Sequence, residues 1–325
     1  MNGSAGPTRD RAAILAASGP LLALLLACAF FASQSDRFFT SQNFSLILQQ
    51  IVVVGVIAIG QTLVVLTAGI DLSCGMVMAL GSIVMTRAAV DYGMSTGMAI
   101  GCGMLVTMGF GFLNGALITF VRLPPFIVTL GTLNIAFAIT QIYSGSQTIS
   151  GLPEGLVALG ETFRVGGATV TYGTIVMLGL YLLAWLALRE TAPGRHVYAM
   201  GNNAEAARLM GIPTRRLTLS VYTFAGLTYG IAALLAVART GVGDPQAGQT
   251  DNLESITAVV LGGTSLFGGR GVILGSLVGA LIVGVFRNGL TLMGVASVYQ
   301  IPITGILVIL AVATDQLSRR QSLRP

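Results

Sequence analysis

The chain has 325 residues, of which 54% are hydrophobic and only 9% charged, and its mean hydropathy is +0.84. A water-soluble domain carries roughly 25% charged residues, so this balance excludes a soluble globular protein and points to an all-α, polytopic membrane protein. The net charge of +5 comes from basic residues that are all arginine, and no loop clusters them with aromatic side chains, so nucleic acid is not an expected partner.

A helix needs about 20 apolar residues to cross a bilayer. In chain order the apolar runs predict spans at 12–33, 44–68, 75–91, 95–121, 125–144, 169–188, 217–239, 253–267, 270–290 and 299–316, about ten transmembrane helices in one domain over 1–325. The first follows Arg9 and Arg11 and has features of a signal peptide, and Leu25-Leu26-Ala27-Cys28 looks like a lipoprotein cleavage site. The apolar run continues through Ala29, Phe30 and Phe31, which makes it long enough to span, so an uncleaved helix is expected. Positive charge stays on the cytoplasmic side of a membrane. With the N-terminus inside, Arg37, Arg87, Arg164, Arg239 and Arg287 alone fall at outer ends and the other arginines fall inside, which puts both termini in the cytoplasm.

Residues 189–216 form the only long hydrophilic stretch between spans, opening with Arg189 and Glu190 and closing with Arg215 and Arg216. Within it, Glu205-Ala206-Ala207-Arg208-Leu209-Met210-Gly211 predicts a short helix with a glycine stop. Glu205 and Arg208 fall one turn apart, and Leu209 and Ile212 supply an apolar ridge. On composition alone this stretch is either a solvated connection or a cytoplasmic docking loop.

Covalent chemistry has little to work with. The three cysteines, Cys28, Cys74 and Cys102, sit in or beside spans without metal-ligand spacing, and the lone His196 has no partner histidine, so no metal, cofactor or disulfide is expected. A P-loop requires a lysine, and the chain has none, so it is not expected to hold ATP or catalyse a reaction. Asp71, in Gly69-Ile70-Asp71-Leu72-Ser73, is an ionisable residue between apolar runs; it reads either as a cap at a broken helix or as part of a solute path.

Four segments resemble, in order, the permease subunits of ABC importers for ribose, xylose, arabinose and galactose. They are Thr67-Ala68-Gly69-Ile70-Asp71-Leu72-Ser73-Cys74-Gly75, Pro125-Phe126-Ile127-Val128-Thr129-Leu130-Gly131-Thr132, Gly194-Arg195-His196-Val197-Tyr198-Ala199-Met200-Gly201-Asn202-Asn203 leading into Glu205-Ala206-Ala207, and Ala258-Val259-Val260-Leu261-Gly262-Gly263-Thr264-Ser265-Leu266-Phe267-Gly268-Gly269. The resemblance covers about residues 44–316. It implies a permease that is homodimeric or paired with a paralogue in a bacterial inner membrane, a cytoplasmic ATPase bound to the 189–216 loop, and a periplasmic binding protein that delivers a monosaccharide such as ribose to outer loops including 145–168. Glu205, Ala206, Ala207, Arg208 and Gly211 are the coupling residues it implies. Gln61, Asp71, Ser73, Asn114, Asn134 and Asn288 are candidates for the sugar path; the amides would serve equally to join helices. A nucleoside or branched-chain amino acid permease of the same architecture and an ion-coupled secondary transporter are the rival readings.

Gly111-Phe112-Leu113-Asn114-Gly115 recurs as Val285-Phe286-Arg287-Asn288-Gly289, in spans that cross in opposite directions, each after a glycine-rich turn at 69–75 or 262–269. The pattern predicts an inverted repeat of spans two to five against seven to ten. Gly97, Gly101, Gly109, Gly275 and Gly279 are expected at close helix contacts.

Overall fold

The computed structural model describes residues 7–322, with side chains from residue 19 onward except for several in the last helix. The side chains of Arg9, Arg11, Arg319 and Arg320, and all of Arg324, lie outside the described residues.

Thirteen helices and one hairpin follow along the described chain: α1 Pro7–Gln34, α2 Ser41–Leu66, α3 Cys74–Val90, α4 Thr96–Ala116 with a π-helical turn Leu117–Val121, α5 Pro125–Ser144, the short α6 Glu154–Val157, the hairpin β1 Thr162–Val165 and β2 Ala168–Thr171, α7 Tyr172–Glu190, α8 Ala192–Asn202, α9 Ala204–Leu209, α10 Thr214–Thr240, α11 Asp251–Leu261, α12 Ile273–Leu292 and α13 Ser297–Ser322. Six of these, including α2, α10 and α12, are long and apolar enough to cross a membrane by length and composition. Local chemistry sets the ends. Thr40 accepts the Asn43 amide at the start of α2 (3.3 Å) and Thr171 the Thr174 amide at the start of α7 (3.3 Å), while α5 starts on Pro125 and stops at Gly145 in the left-handed region.

The helices α2 and α10 pack against each other at the centre; the most apolar window of each is 78% buried, against 28% for α4 and for α5. Around them the packing is reciprocal. The helix α10 lies on α4 as α2 lies on α12; α3 packs on α4 and α5 as α11 packs on α12 and α13; α3 meets α10 as α11 meets α2. Outside this framework α7 leans on α2, and α1 leans on α12, where the Phe31 ring covers Gly289 and meets Phe286 edge-on at 5.5 Å.

Within the bundle and its 145–171 connection the structure departs from the sequence reading in three places. The segment 253–267 is helical only to Leu261; at 11 residues and about 1.5 Å per residue, α11 spans about half of the ~30 Å apolar core. Its other half is the non-helical 241–250, which runs down beside α3: Gly243 lies against Thr86 near the end of α3, and Gly248 against Gly75 near its start. The stretch 145–171 holds α6 and the hairpin, tied to the bundle by the Thr169 amide on Ser45 Oγ (2.8 Å) and a bridge between Ile149 and Gly243. Finally, a Cβ at Gly97, Gly101 or Gly109 would meet nothing within 4 Å, because α4 faces the bundle through Gly103, Gly111 and Gly115 instead. Gly275 and Gly279 do sit at close contacts, against the backbone of Gly262 and Ala258.

Candidate functional site

The helix α2 ends at Leu66, and the chain turns back through 67–73 before α3 begins. The reversal is a Schellman-type turn: the Ala68 amide reaches Val65 O (2.9 Å) and the Gly69 amide Val64 O (3.0 Å), with Ala68 at φ +61°. Irregular backbone inside a membrane protein persists only where its polar groups find partners in protein or line a cavity. Here the partners come from five helices.

Asp71 is fully buried at the centre of this break. Its Oδ1 accepts from the Ser73 amide (2.8 Å) and Ser73 Oγ (2.6 Å), and its Oδ2 from Tyr229 of α10 (3.1 Å). The carboxylate therefore holds Ser73, the residue just before α3, instead of capping that helix's own first turn. Asn114 of α4 donates to Ser73 Oγ (3.0 Å) and accepts from Thr132 of α5 (2.8 Å). Gln61 of α2 donates to the Asp71 carbonyl and contacts Cys74 Sγ at 3.0 Å, while Thr129 and Tyr222 donate to the Ile70 carbonyl (3.2 and 3.5 Å). Gln61, Asp71, Ser73 and Asn114 thus form one cluster. Asn288 is buried on α12 outside that hydrogen-bonded cluster, its Oδ1 without a partner among the described residues.

The second break, 241–250, meets the first. A Cβ on Gly75 would lie 2.1 Å from Gly248 O, so only glycine permits this approach; Asn252 Nδ2 donates to Leu72 O (3.3 Å), and Cys74 Sγ is 3.8 Å from Ser255 Oγ. Where the amino ends of α3 and α11 converge, a cavity of about 240 Å3 opens toward α5, lined by Leu72, Met76, Leu133, Asn134, Phe137, Gly248, Gln249 and Asn252. Of the sequence candidates only Asn134 lines it. Gln249 and Asn252 escaped the sequence reading because their segment reads as a polar end of a span, and only its passage beside α3 brings them inward. A larger cavity, about 520 Å3, lies between α2, α7, α8 and α10, but its walls are almost wholly aliphatic and offer a polar solute little.

Beyond the carboxyl end of α2, where Gly201 lies against Leu66 O, the hydrophilic stretch folds as two helices. Thr191 caps α8 through the Gly194 amide (3.2 Å), and Asn203 caps α9 through the Ala206 amide (2.9 Å). The helix α8 was not foreseen, although Thr191-Ala192-Pro193 is a recognisable start signal. On α9, Arg208 makes a forked ion pair with Glu205 (2.6 and 3.1 Å), Ala207 is fully buried, and Gly211 closes the helix at φ +86°. Arg208 holds the exposed Glu205 carboxyl below its ordinary range, and Glu205 raises the guanidinium in turn. Leu209 and Met210 stand 75% and 71% exposed at the tip. No cluster of histidine, cysteine and carboxylate side chains suited to a metal occurs among the described residues.

A bundle of apolar helices, with two facing helix breaks around a cavity and a polar two-helix projection at one end, defines a multi-pass membrane transport protein. The chain belongs to the family described as branched-chain amino acid transport system / permease component, whose model matches residues 43–312. It is 46% identical over 310 residues to a fructose import permease protein of Rhizobium meliloti, covering 94% of this chain and 86% of that one. A ribose import permease protein of Bacillus subtilis is 37% identical, with 92% of each chain covered, and a D-allose transport system permease protein of Escherichia coli is 34% identical, with 92% of this chain and 91% of the relative covered. No solved structure matches the chain.

Proposed function

We propose that this chain is the membrane subunit of an ATP-driven importer for a monosaccharide. The observation that carries the reading is its similarity, over more than nine-tenths of its length, to import permeases named for fructose, ribose and allose. The cavity supports a sugar over an amino acid. Its lining side chains are apolar or amide, and a zwitterion there would lack an opposite charge for either of its own. A chain without lysine has no ordinary phosphate-binding loop, so the energy comes from a partner or an ion gradient, and the likeness to import permeases favours a partner ATPase.

In this reading residues 1–325 form one permease domain, and 189–216 is its cytoplasmic coupling loop. Glu205, Ala206, Ala207, Arg208 and Gly211 build the ATPase contact, with Leu209 and Met210 as its apolar tip. Both termini are cytoplasmic, the membrane is a bacterial inner membrane, and a periplasmic binding protein docks on the outer face, where α6 and the hairpin stand. Ten segments cross or half-cross the membrane. The reciprocal packing of α2–α5 and α10–α13 supports an inverted repeat. The glycine turns at 69–75 and 262–269 do not correspond within it, since one follows α2 and the other precedes α12; the counterpart of 67–73 is 241–250. Two copies pair to complete the pathway. Gln61, Asp71, Ser73 and Asn114 frame that pathway and Asn134 faces it; nothing in the geometry ties Asn288 to it.

The test is uptake of labelled D-fructose and D-ribose into proteoliposomes holding the permease, its ATPase and its binding protein. Uptake that requires ATP supports the reading. ATP-independent uptake driven by an ion gradient would replace it with secondary transport.

A further inference from the structure

We infer that the cavity between the two helix breaks is a sugar-holding station, in which Asn134, Gln249 and Asn252 hydrogen-bond the hydroxyls and Leu72, Met76, Leu133 and Phe137 cover the ring's C–H face. The inference rests on the monosaccharide reading above and adds to it the residues that touch the sugar. It also separates them from Asp71, Ser73 and Asn114, whose side chains bond one another and their neighbours to hold the first break in shape, and from Gln61, whose Nε2 does the same.

Three features of the cavity set the ligand's chemistry. Its volume, about 240 Å3, is below the roughly 300–1,000 Å3 of sites for drug-sized ligands, which suits one small ring. Its polar side chains are three carboxamides, each able to donate and to accept, as a hydroxyl does; no charged side chain lines it. An anion or cation would therefore be desolvated without compensation, whereas a neutral polyol exchanges its water hydrogen bonds for amide ones. The remaining walls are apolar, with Phe137 the one aromatic ring.

The amides come from separate elements: Asn134 from α5, Gln249 from the second break and Asn252 from the first turn of α11. Asn134 Nδ2 gives one hydrogen to Leu130 O (3.0 Å), Gln249 Nε2 one to Gln246 Oε1, and Asn252 Nδ2 one to Leu72 O across the junction (3.3 Å) while its Oδ1 accepts the Leu253 amide (2.8 Å); each amide nitrogen keeps a second N–H and each oxygen a further lone pair for a ligand. The Asn252 bond is long for an amide donor. A hydroxyl arriving at the cavity can take over that donor and so loosen the bond that ties the two breaks together. Occupancy and opening of the junction are thereby linked.

The experiment compares the complete transporter in proteoliposomes with variants Asn252→Ala, Gln249→Ala and Gln249→Trp, the last placing a bulky ring in the cavity from an exposed position. Maximal uptake of fructose and of ribose is expected to fall about tenfold in the alanine variants and further with tryptophan. The half-saturating concentration, set by the delivering protein, stays unchanged, the ATPase still co-purifies, and the fructose-to-ribose ratio shifts by severalfold. A uniform fall in both sugars with the ratio kept would mean a structural role only and overturn the proposal, as would variants within twofold of wild type. Failure of the wild type to move either sugar would instead overturn the functional reading on which the proposal stands.

Discussion

At Asp71, three donors converge on one buried carboxylate, and removing the acceptor strands all of them. Each stranded buried donor costs about 1–3 kcal/mol, so Asp71→Ala is expected to lose roughly 3 kcal/mol or more and much of the folded yield in detergent. Asp71→Asn keeps the acceptor for Ser73 and lets Tyr229 reorient; its expected loss is about 1 kcal/mol, with uptake largely retained. Thermal unfolding of both variants, read beside transport, separates a structural carboxylate from a proton carrier, because a carrier would be silenced by asparagine without being destabilised. Ala68 holds the left-handed position that glycine fills at most helix ends. Ala68→Gly removes a penalty of about 1 kcal/mol and is expected to raise the unfolding temperature measurably.

At the scale of single elements, α9 is held by its forked ion pair, and acid would undo it only late. The Glu205 carboxyl has a lowered pKa in the folded chain, so the pair's contribution is complete above the unfolded value of 4.5 and is lost as pH falls through the lowered value. Between pH 6 and 8, Arg208→Ala is therefore expected to weaken ATPase co-purification by the same factor at each pH, roughly tenfold if the tip is the contact. A factor that changed within this window would assign the contact to another group. The sequence made the long elements plain, since α2, α4, α5, α7, α10 and α12 are long apolar runs. It left α8 hidden inside a polar stretch and made 253–267 look like a span, because an apolar half-helix and its glycine turn read as one run. Asp71, Ser73 and Asn114 stood out as polar residues in apolar surroundings, but which of them touch each other is set by tertiary packing over 41 residues of separation, and no local period records that.

For the molecule as a whole, our proposal from the arginine distribution puts the α8–α9 projection in the cytoplasm and the 145–171 region outside. Single cysteines at Asn203 and Gln147, both exposed, report this directly. In intact spheroplasts a membrane-impermeant maleimide is expected to label Gln147→Cys fully and Asn203→Cys only after lysis; the reverse pattern would invert the topology and move the ATPase contact elsewhere. The weakly buried α4 and α5 leave one flank apolar and open beside the cavity, a face for lipid or, in our proposal, for a second copy. Crosslinking between cysteines on α5 is the corresponding assay.

Gly201, near the end of α8, lies so close to Leu66 O that a Cβ there would sit 1.8 Å from it and 2.5 Å from the Gly269 amide, which itself donates to Leu66 O (2.9 Å). One point of backbone thus pins three things: the projection, the end of α2 before the first break, and the turn that follows α11. We expect a push on the projection to reach both halves of the bundle together, like two doors on one crossbar, so that solute passes only on a complete stroke. Gly201→Val, which forces that pin apart, is expected to leave a transporter whose ATPase turns over without moving sugar.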